Sequence, residues 1–240
     1  MKYIDMANID GLAVNLYPSM ADAVEDILQN HIGKATSAVA INPEKVILSR
    51  ERPEIRSILE NNEIRYADGI GVVKYFSYIT KKTISRIPGC ELWEELMKEA
   101  GVKNISVYLV GGKKEILVET VTKLEKDYST PIAGFQDGYY SDEELLINNI
   151  LKSKAKIVTV ALGSPKQEIF INKCRTAGIE AFFMGVGGTY DVFTGNVKRA
   201  PKLFCDFGLE WFYRLVSEPT RLYRQRNLVK FLWLAFTKKL

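Results

Sequence analysis

The sequence predicts an α/β fold: a Rossmann-like, largely parallel sheet flanked by helices, followed by a basic amphipathic helical appendage at the C-terminus. Three observations predict it. Short β-rich apolar runs alternate with longer helical patterns, and strands separated by helices imply crossover connections and parallel pairing. Five of the six runs end in or just before a glycine, as expected where a strand turns back at the ligand-bearing end of a parallel sheet. Positive charge collects at the end of the chain. The expected division is a catalytic α/β domain over residues 1–200 and a membrane-associating appendage over 201–240.

The elements follow in order. A helical pattern over 20–30 precedes SAVAI (37–41), the first expected strand. A helix over 52–62 leads to IRYA (64–67), then helices over 70–80 and 90–100. ISVYLV (105–110), a helix over 113–127, PIAGF (131–135) and a helix over 142–153 come next. KIVTVAL (156–162), a helix over 165–177 and EAFFMGV (180–186) complete the alternation. Ser141 stands where an N-cap belongs, with Glu144 three residues on as in a capping box. Gly101 and Gly178 follow helical stretches, as C-terminal glycines do.

Composition narrows the function. The chain has 240 residues, 47% of them hydrophobic and 26% charged, values of an ordinary globular protein. Cys90, Cys174 and Cys205 are odd in number and far apart, so no disulfide framework is expected and a reducing compartment is implied. His31 is the single histidine. It excludes a zinc site needing two histidines, and it reads as an exposed residue at a helix end. Carboxylates and backbone donors are left to carry any reaction. Asp5 and Asp10 interrupt the N-terminal run before a signal-peptide core forms, and no run approaches a membrane span. A cytoplasmic location is expected.

Net charge is +4, yet residues 211–240 alone carry seven Lys/Arg against Glu218, leaving the rest of the chain at −2. In this tail Leu222, Val229, Trp233, Phe236 and Leu240 fall on one helical face, with Arg224, Lys230 and Lys238 off it. Seven aromatics lie there, from Trp211 to Phe236. Such an element suits either docking on the core or lying on an anionic membrane. Nucleic-acid binding is disfavoured, because the body carries no recognisable module for it.

The residues after each strand are the candidate site. They include Asn42, Glu44 and Lys45; Asp68 before Gly69-Ile-Gly71; Gly111-Gly112; Asp137, Tyr139 and Tyr140; Lys166 and Gln167; and Asp191. Two glycine turns, GSPK from Gly163 and GVGG with Gly185, Gly187 and Gly188, can present N–H groups to a diphosphate. Neither matches G-x-G-x-x-G, and no P-loop occurs. There is no D-x-D pair, so a site without metal or other cofactor is expected, using arginine, lysine and N–H donors. Asp68 reads either as a helix cap or as a functional acid. Asp191 and a tyrosine such as Tyr139 are further candidate ligand contacts. A dinucleotide oxidoreductase and a non-catalytic membrane module are the rival readings.

AINPEK, YADGIGVV, SRIPGCELWEELM, YLVGGK, FQDGYY, IVTVALGSPKQEIF, FMGVGGTYDVFTGNVKRAPK and GLEWFYRL together resemble the WecG/TagA/CpsF family, glycosyltransferase family 26, over about residues 36–226. The finer match is to the branch that moves N-acetyl-D-mannosaminuronic acid from UDP in enterobacterial common antigen synthesis. The teichoic-acid branch, which transfers N-acetylmannosamine, is more distant. The resemblance implies an inverting, metal-independent transferase with a UDP-sugar donor. Its acceptor would be undecaprenyl-diphosphate-linked GlcNAc at the anionic inner face of the cytoplasmic membrane, where the protein would sit peripherally; whether it forms a homo-oligomer is left open by the sequence. It implies Asp68 as base and Asn42, Arg86 and Gln167 as substrate-binding residues. Arg214, Arg221 and Arg224 would be cations of the appendage. The teichoic-acid branch has a threonine where this chain reads Ala40-Ile41, so a role for that hydroxyl does not carry over. A donor with a carboxylate asks for one more cation; Lys45, Arg50 and Arg199 are the candidates.

Overall fold

A computed structural model describes residues 4–198, 201, 204, 222–237 and 239–240, with side chains left out for 222–225. The sheet has eight strands in the order β1-β2-β4-β3-β8-β7-β5-β6. These are β1 (Asp5–Ile9), β2 (Leu12–Leu16), β3 (Thr36–Ile41), β4 (Ile64–Ala67), β5 (Val107–Gly111), β6 (Ile132–Gln136), β7 (Ile157–Ala161) and β8 (Phe182–Gly185). Every pairing is parallel except β1 with β2. The described helices are α1 (Met20–Asn30), α2 (Pro43–Glu51), α3 (Pro53–Glu60), α4 (Ile70–Thr80), α5 (Gly89–Val102), α6 (Lys114–Tyr128), α7 (Glu143–Ser153), α8 (Lys166–Thr176), α9 (Thr189–Thr194) and α10 (Leu222–Phe236).

Strand residues alternate between the two faces of the sheet, and each face has its own core. Ala38, Tyr66, Leu109 and Met184 pack with Trp93, Leu117 and Tyr190 under α1, α5, α6 and α9. On the other face, Val39, Ile41 and Ala67 meet α2, α3, α4 and α10. Val110, Val160 and Phe183 meet α7 and α8. The sheet is thus a middle layer between two helical layers, as the alternation of strands and helices implies.

Several expectations are corrected. The first strands are a hairpin, β1 and β2, in a stretch where the sequence analysis places no strand. Asp10 and Gly11 both have positive φ (+49° and +79°), the conformation that joins twisted strands through two residues. Ile9, Leu12, Val14 and Leu16 face the core and the residues between them do not, so Asp5 and Asp10 bound a strand rather than break a run. Residues 43–51 form a helix because Asn42 caps it: Oδ1 accepts the Lys45 N–H at 2.9 Å, with Pro43 in the first turn. The cap of α7 is Asp142, whose Oδ1 accepts the Leu145 N–H at 2.9 Å, and not Ser141. Gly101 lies inside α5; a Cβ there would stand 1.8 Å from the Tyr128 carbonyl. His31 ends α1 as expected but is half-buried. Its ring faces Phe182, and burial lowers its pKa.

Helix α10 is docked. Phe231 and Leu234 are buried among Val46, Val72 and Phe76. Arg50 donates to the Lys239 carbonyl at 2.8 Å, and Tyr75 to that of Leu240 at 3.3 Å. The opposite side of the helix is apolar and open: Val229, Trp233 and Phe236 are 66%, 56% and 86% exposed. Lys239 holds its ammonium 5.2 Å from the Trp233 ring centre. Of the face read from the sequence, Leu240 belongs instead to the docked side.

Candidate active site

Parallel pairing brings the carboxyl ends of β3, β4, β7 and β8 side by side, and most of the expected site residues stand there. The Asp68 N–H donates to the Ile41 carbonyl at 3.0 Å, which seats Asp68 beside Asn42. Gly69 has φ +80°, and its missing Cβ leaves 3.4 Å to Pro43 Cδ. Glycine is therefore what lets the chain leave β4 this close to α2. Gly71 serves the same packing, facing Pro43 and Phe231 at 3.2 and 3.4 Å, rather than a ligand.

Asp68 Oδ1 accepts the Gly69 N–H at 2.7 Å. It also lies 3.4 Å from Nε of Arg86. Gly69, not Asp68, occupies the N-cap position of α4. Arg86 reaches Asp68 because its segment is tied to β4 through the Ile87 N–H and the Ala67 carbonyl, 3.1 Å apart. About a quarter of the Asp68 side chain is exposed, so the carboxylate borders solvent. Beneath lies Tyr66, which the sequence reading did not single out. Burial pushes its phenol pKa well above the ordinary value, and the charges of Asp68, Cys90 and Glu168 push the same way. Gly89 makes room for that hydroxyl, 3.0 Å from where a Cβ would stand.

The second cluster joins β7 to β8. Gln167 is buried in the first turn of α8. Its Oε1 accepts the Gly187 N–H at 3.0 Å, and its Nε2 donates to Glu168 Oε1 at 3.2 Å. Gly185 is glycine because a Cβ would lie 2.5 Å from that Nε2. Gly163 and Gly187 have positive φ and, like Gly188, would point a Cβ into open space. Lys45 Nζ meets Glu168 Oε1 at 2.8 Å and so links the two clusters. The Glu168 pKa is lowered: burial alone would raise it, but the Lys45 ammonium together with hydrogen bonds from Lys45, the Glu168 N–H and Gln167 outweighs that.

Of the other expected residues, Tyr139 and Arg50 stand apart, while Asp191 lies in the helix that directly follows the Gly185–Gly188 turn. Tyr139 is exposed after the edge strand β6, three strands from β8, about 14 Å at about 4.8 Å per strand. Asp191 lies in the first turn of α9, and its carbonyl accepts from Val197 at 2.9 Å. Arg50 pairs with Asp10 at the amino end of the parallel strands (3.2 Å), away from Asp68. Arg199, Arg214 and Arg221 lie outside the described residues, as does the side chain of Arg224. Glu168 went unnoticed in the sequence, although its place beside Gln167 was the available signal. A separate cavity of about 280 Å³ lies among α5, α6 and α9; neither Asp68 nor Gln167 borders it.

The arrangement can do acid–base and anion-binding chemistry. A carboxylate borders solvent beside a guanidinium, and glycine turns with no described atom within 4 Å of a would-be Cβ follow β8 and β7, two and three strands from β4. Comparison with known families matches residues 7–240 to the Glycosyl transferase WecG/TagA/CpsF family. The chain belongs to that family. It is therefore a glycosyltransferase of polysaccharide synthesis, working on a nucleotide-sugar donor and an acceptor. Asp68 and the two glycine turns stand where such an enzyme on a parallel sheet holds its substrates, at the carboxyl ends of the strands. No described helix is long and apolar enough to cross a membrane.

Proposed function

We propose that this glycosyltransferase moves N-acetyl-D-mannosaminuronic acid from UDP to undecaprenyl-diphosphate-linked GlcNAc, with inversion, at the surface of the cytoplasmic membrane. The observation that carries the reading is that Asp68, Arg86, Asn42 and the two glycine turns all stand at the carboxyl ends of neighbouring strands of one sheet, β4, β3, β8 and β7. In the reaction, the acceptor hydroxyl oxygen bonds to the anomeric carbon as the bond from that carbon to the β-phosphate oxygen breaks. The hydroxyl proton passes to the Asp68 carboxylate, and UDP departs with the bonding pair. A hydroxyl is a poor nucleophile, so a positioned base lowers the barrier. Charge building on the diphosphate is met by cations and backbone N–H groups. Arg86 and the backbone of the Gly163 and Gly188 turns would supply them. The apolar face of α10 supports a membrane-bound acceptor, with Arg214, Arg221 and Arg224 as further cations toward it.

The finer choice of donor rests on the motif resemblance, and one observation favours a second reading. Lys45 is committed to Glu168 and Arg50 to Asp10 and Lys239. Neither of these two cations is left to meet a sugar carboxylate, and the third candidate, Arg199, lies outside the described residues; this suits a donor whose sugar carries no charge, UDP-N-acetylmannosamine. The test is turnover on a soluble GlcNAc-diphospholipid with UDP-ManNAcA, UDP-ManNAc and UDP-GlcNAc offered separately. Transfer from the uronic acid donor alone is the expected result. Transfer from UDP-ManNAc alone establishes the second reading, and transfer from none of them overturns both.

A further inference from the structure

The Lys45–Glu168 pair is the most deeply buried ion pair among the described residues, with 10% and 3% of the side chains exposed. Burying two charges costs about as much as their attraction gives, so such a pair is a weak stabiliser. Glu168 Oε2 is moreover buried without a hydrogen-bond partner, which a merely structural site would avoid. The pair needs another reason to be there, and its neighbours supply one. Lys45 follows the Asn42 cap, and Glu168 follows Gln167. Glu168 Oε1 accepts from both Lys45 Nζ and Gln167 Nε2. A carboxylate can take only the amino end of a carboxamide. The oxygen end of Gln167 is thereby turned to the Gly187 N–H; the reverse orientation would set donor against donor.

We propose that Glu168, anchored by Lys45, is a positioning residue that orients the Gln167 carboxamide and through it fixes the Gly185–Gly188 turn against which the donor diphosphate binds. This rests on the functional reading above. The turn needs such a hold. Gly187 has φ +54°, and among the described residues nothing lies within 4 Å of where a Cβ would stand at Gly187 or Gly188, so no described side chain braces the turn from that side. The Gln167 contact is the one polar side-chain support that Gly187 has among the described residues.

Three variants test it. Glu168→Gln keeps the shape but offers Gln167 both a donor and an acceptor, so the carboxamide is no longer sorted. It also strands the Lys45 charge and can unfold the chain. Lys45→Met with Glu168→Leu removes both charges at once. Lys45→Glu with Glu168→Lys restores an ion pair but sets an ammonium beside Gln167, which draws the carboxamide oxygen away from Gly187. In the ligand-free protein, hydrogen exchange at the Gly187 amide is expected to quicken about tenfold or more in both double variants. UDP affinity by calorimetry is expected to fall about tenfold, the worth of a lost charge-assisted hydrogen bond. Donor KM should rise in step and acceptor KM should not. The swapped pair separates the two roles: a structural bridge would be rescued by it, and the orientation would not. Wild-type UDP affinity and slow Gly187 exchange in a folded swapped variant overturn the proposal. A wild-type chain that binds no UDP overturns the functional reading instead, and the Gly187 exchange still decides the positioning.

Discussion

Replacing Asp68 with asparagine keeps the shape of the side chain and removes its capacity to take a proton. Turnover is expected to fall by about 10²–10⁴-fold, the usual worth of a general base. Initial rates on a soluble acceptor check this, with circular dichroism confirming the fold; near-normal turnover removes Asp68 from the role. Asp68 was legible in the sequence because an acid between a strand and a glycine is a local pattern. Asn42 was legible as the residue after a strand, and Arg86 only through the family resemblance, since nothing in its spacing sets it apart. The Lys45–Glu168 contact was not legible at all. Its partners are 123 residues apart, and a lysine in the first turn of a helix reads as a solvated cation. The glycines of GVGG look alike in sequence but differ in cause. Gly185 clears space for Gln167, whereas the space before Gly188 is empty.

Among the elements, α10 gives the sharpest forecast. Phe231 and Leu234 each contribute about 1.5–3 kcal/mol by burial, so deleting the helix would uncover Val46, Val72 and Phe76 and confuse loss of fold with loss of membrane contact. Trp233→Ser with Phe236→Ser touches only the open face, and exposed substitutions usually shift stability by about 0.5 kcal/mol or less. Binding to phosphatidylglycerol vesicles, measured by co-sedimentation, is expected to weaken in this variant. High salt should weaken the wild type further by screening the lysines and arginines. Unchanged vesicle binding would leave α10 as a packed terminal helix. The helical period of the tail was readable, but its docked side was not. Phe231 and Leu234 are three residues apart, and Val229, Trp233 and Phe236 are four and three apart, so two apolar stripes share one helix. The β1–β2 hairpin was missed although Asp10-Gly11 is a turn signal. Helix α2 was missed because its sequence, PEKVILSRE, has no single apolar face: Val46 and Ile47 are buried side by side with Lys45 and Ser49.

At the scale of the whole molecule, the parallel sheet and its helical layers were foreseeable from alternation alone, while the strand order was not, because pairing partners leave no local mark. The donor chemistry assigned to cations and N–H groups implies activity without a divalent ion. Turnover should survive EDTA; loss restored by magnesium or manganese would show the assignment wrong. Among the described residues no three His, Cys, Asp or Glu side chains gather as metal ligands. The strand order also bears on how the site comes into being. Thr36 to Ala38 of β3 lie against Phe182 to Met184 of β8, so the middle of the sheet is a seam between an early and a late part of the chain. Everything between them must be closed into a loop before that seam can zip, and contacts of such long range slow folding. Asp68 stands on one side of the seam and the Gly185–Gly188 turn on the other. On the functional reading proposed above, a chain grown only as far as β7 carries Asp68 but lacks the turn after β8, so the two groups assigned to acceptor and donor come together only once β8, the last described strand, has paired with β3.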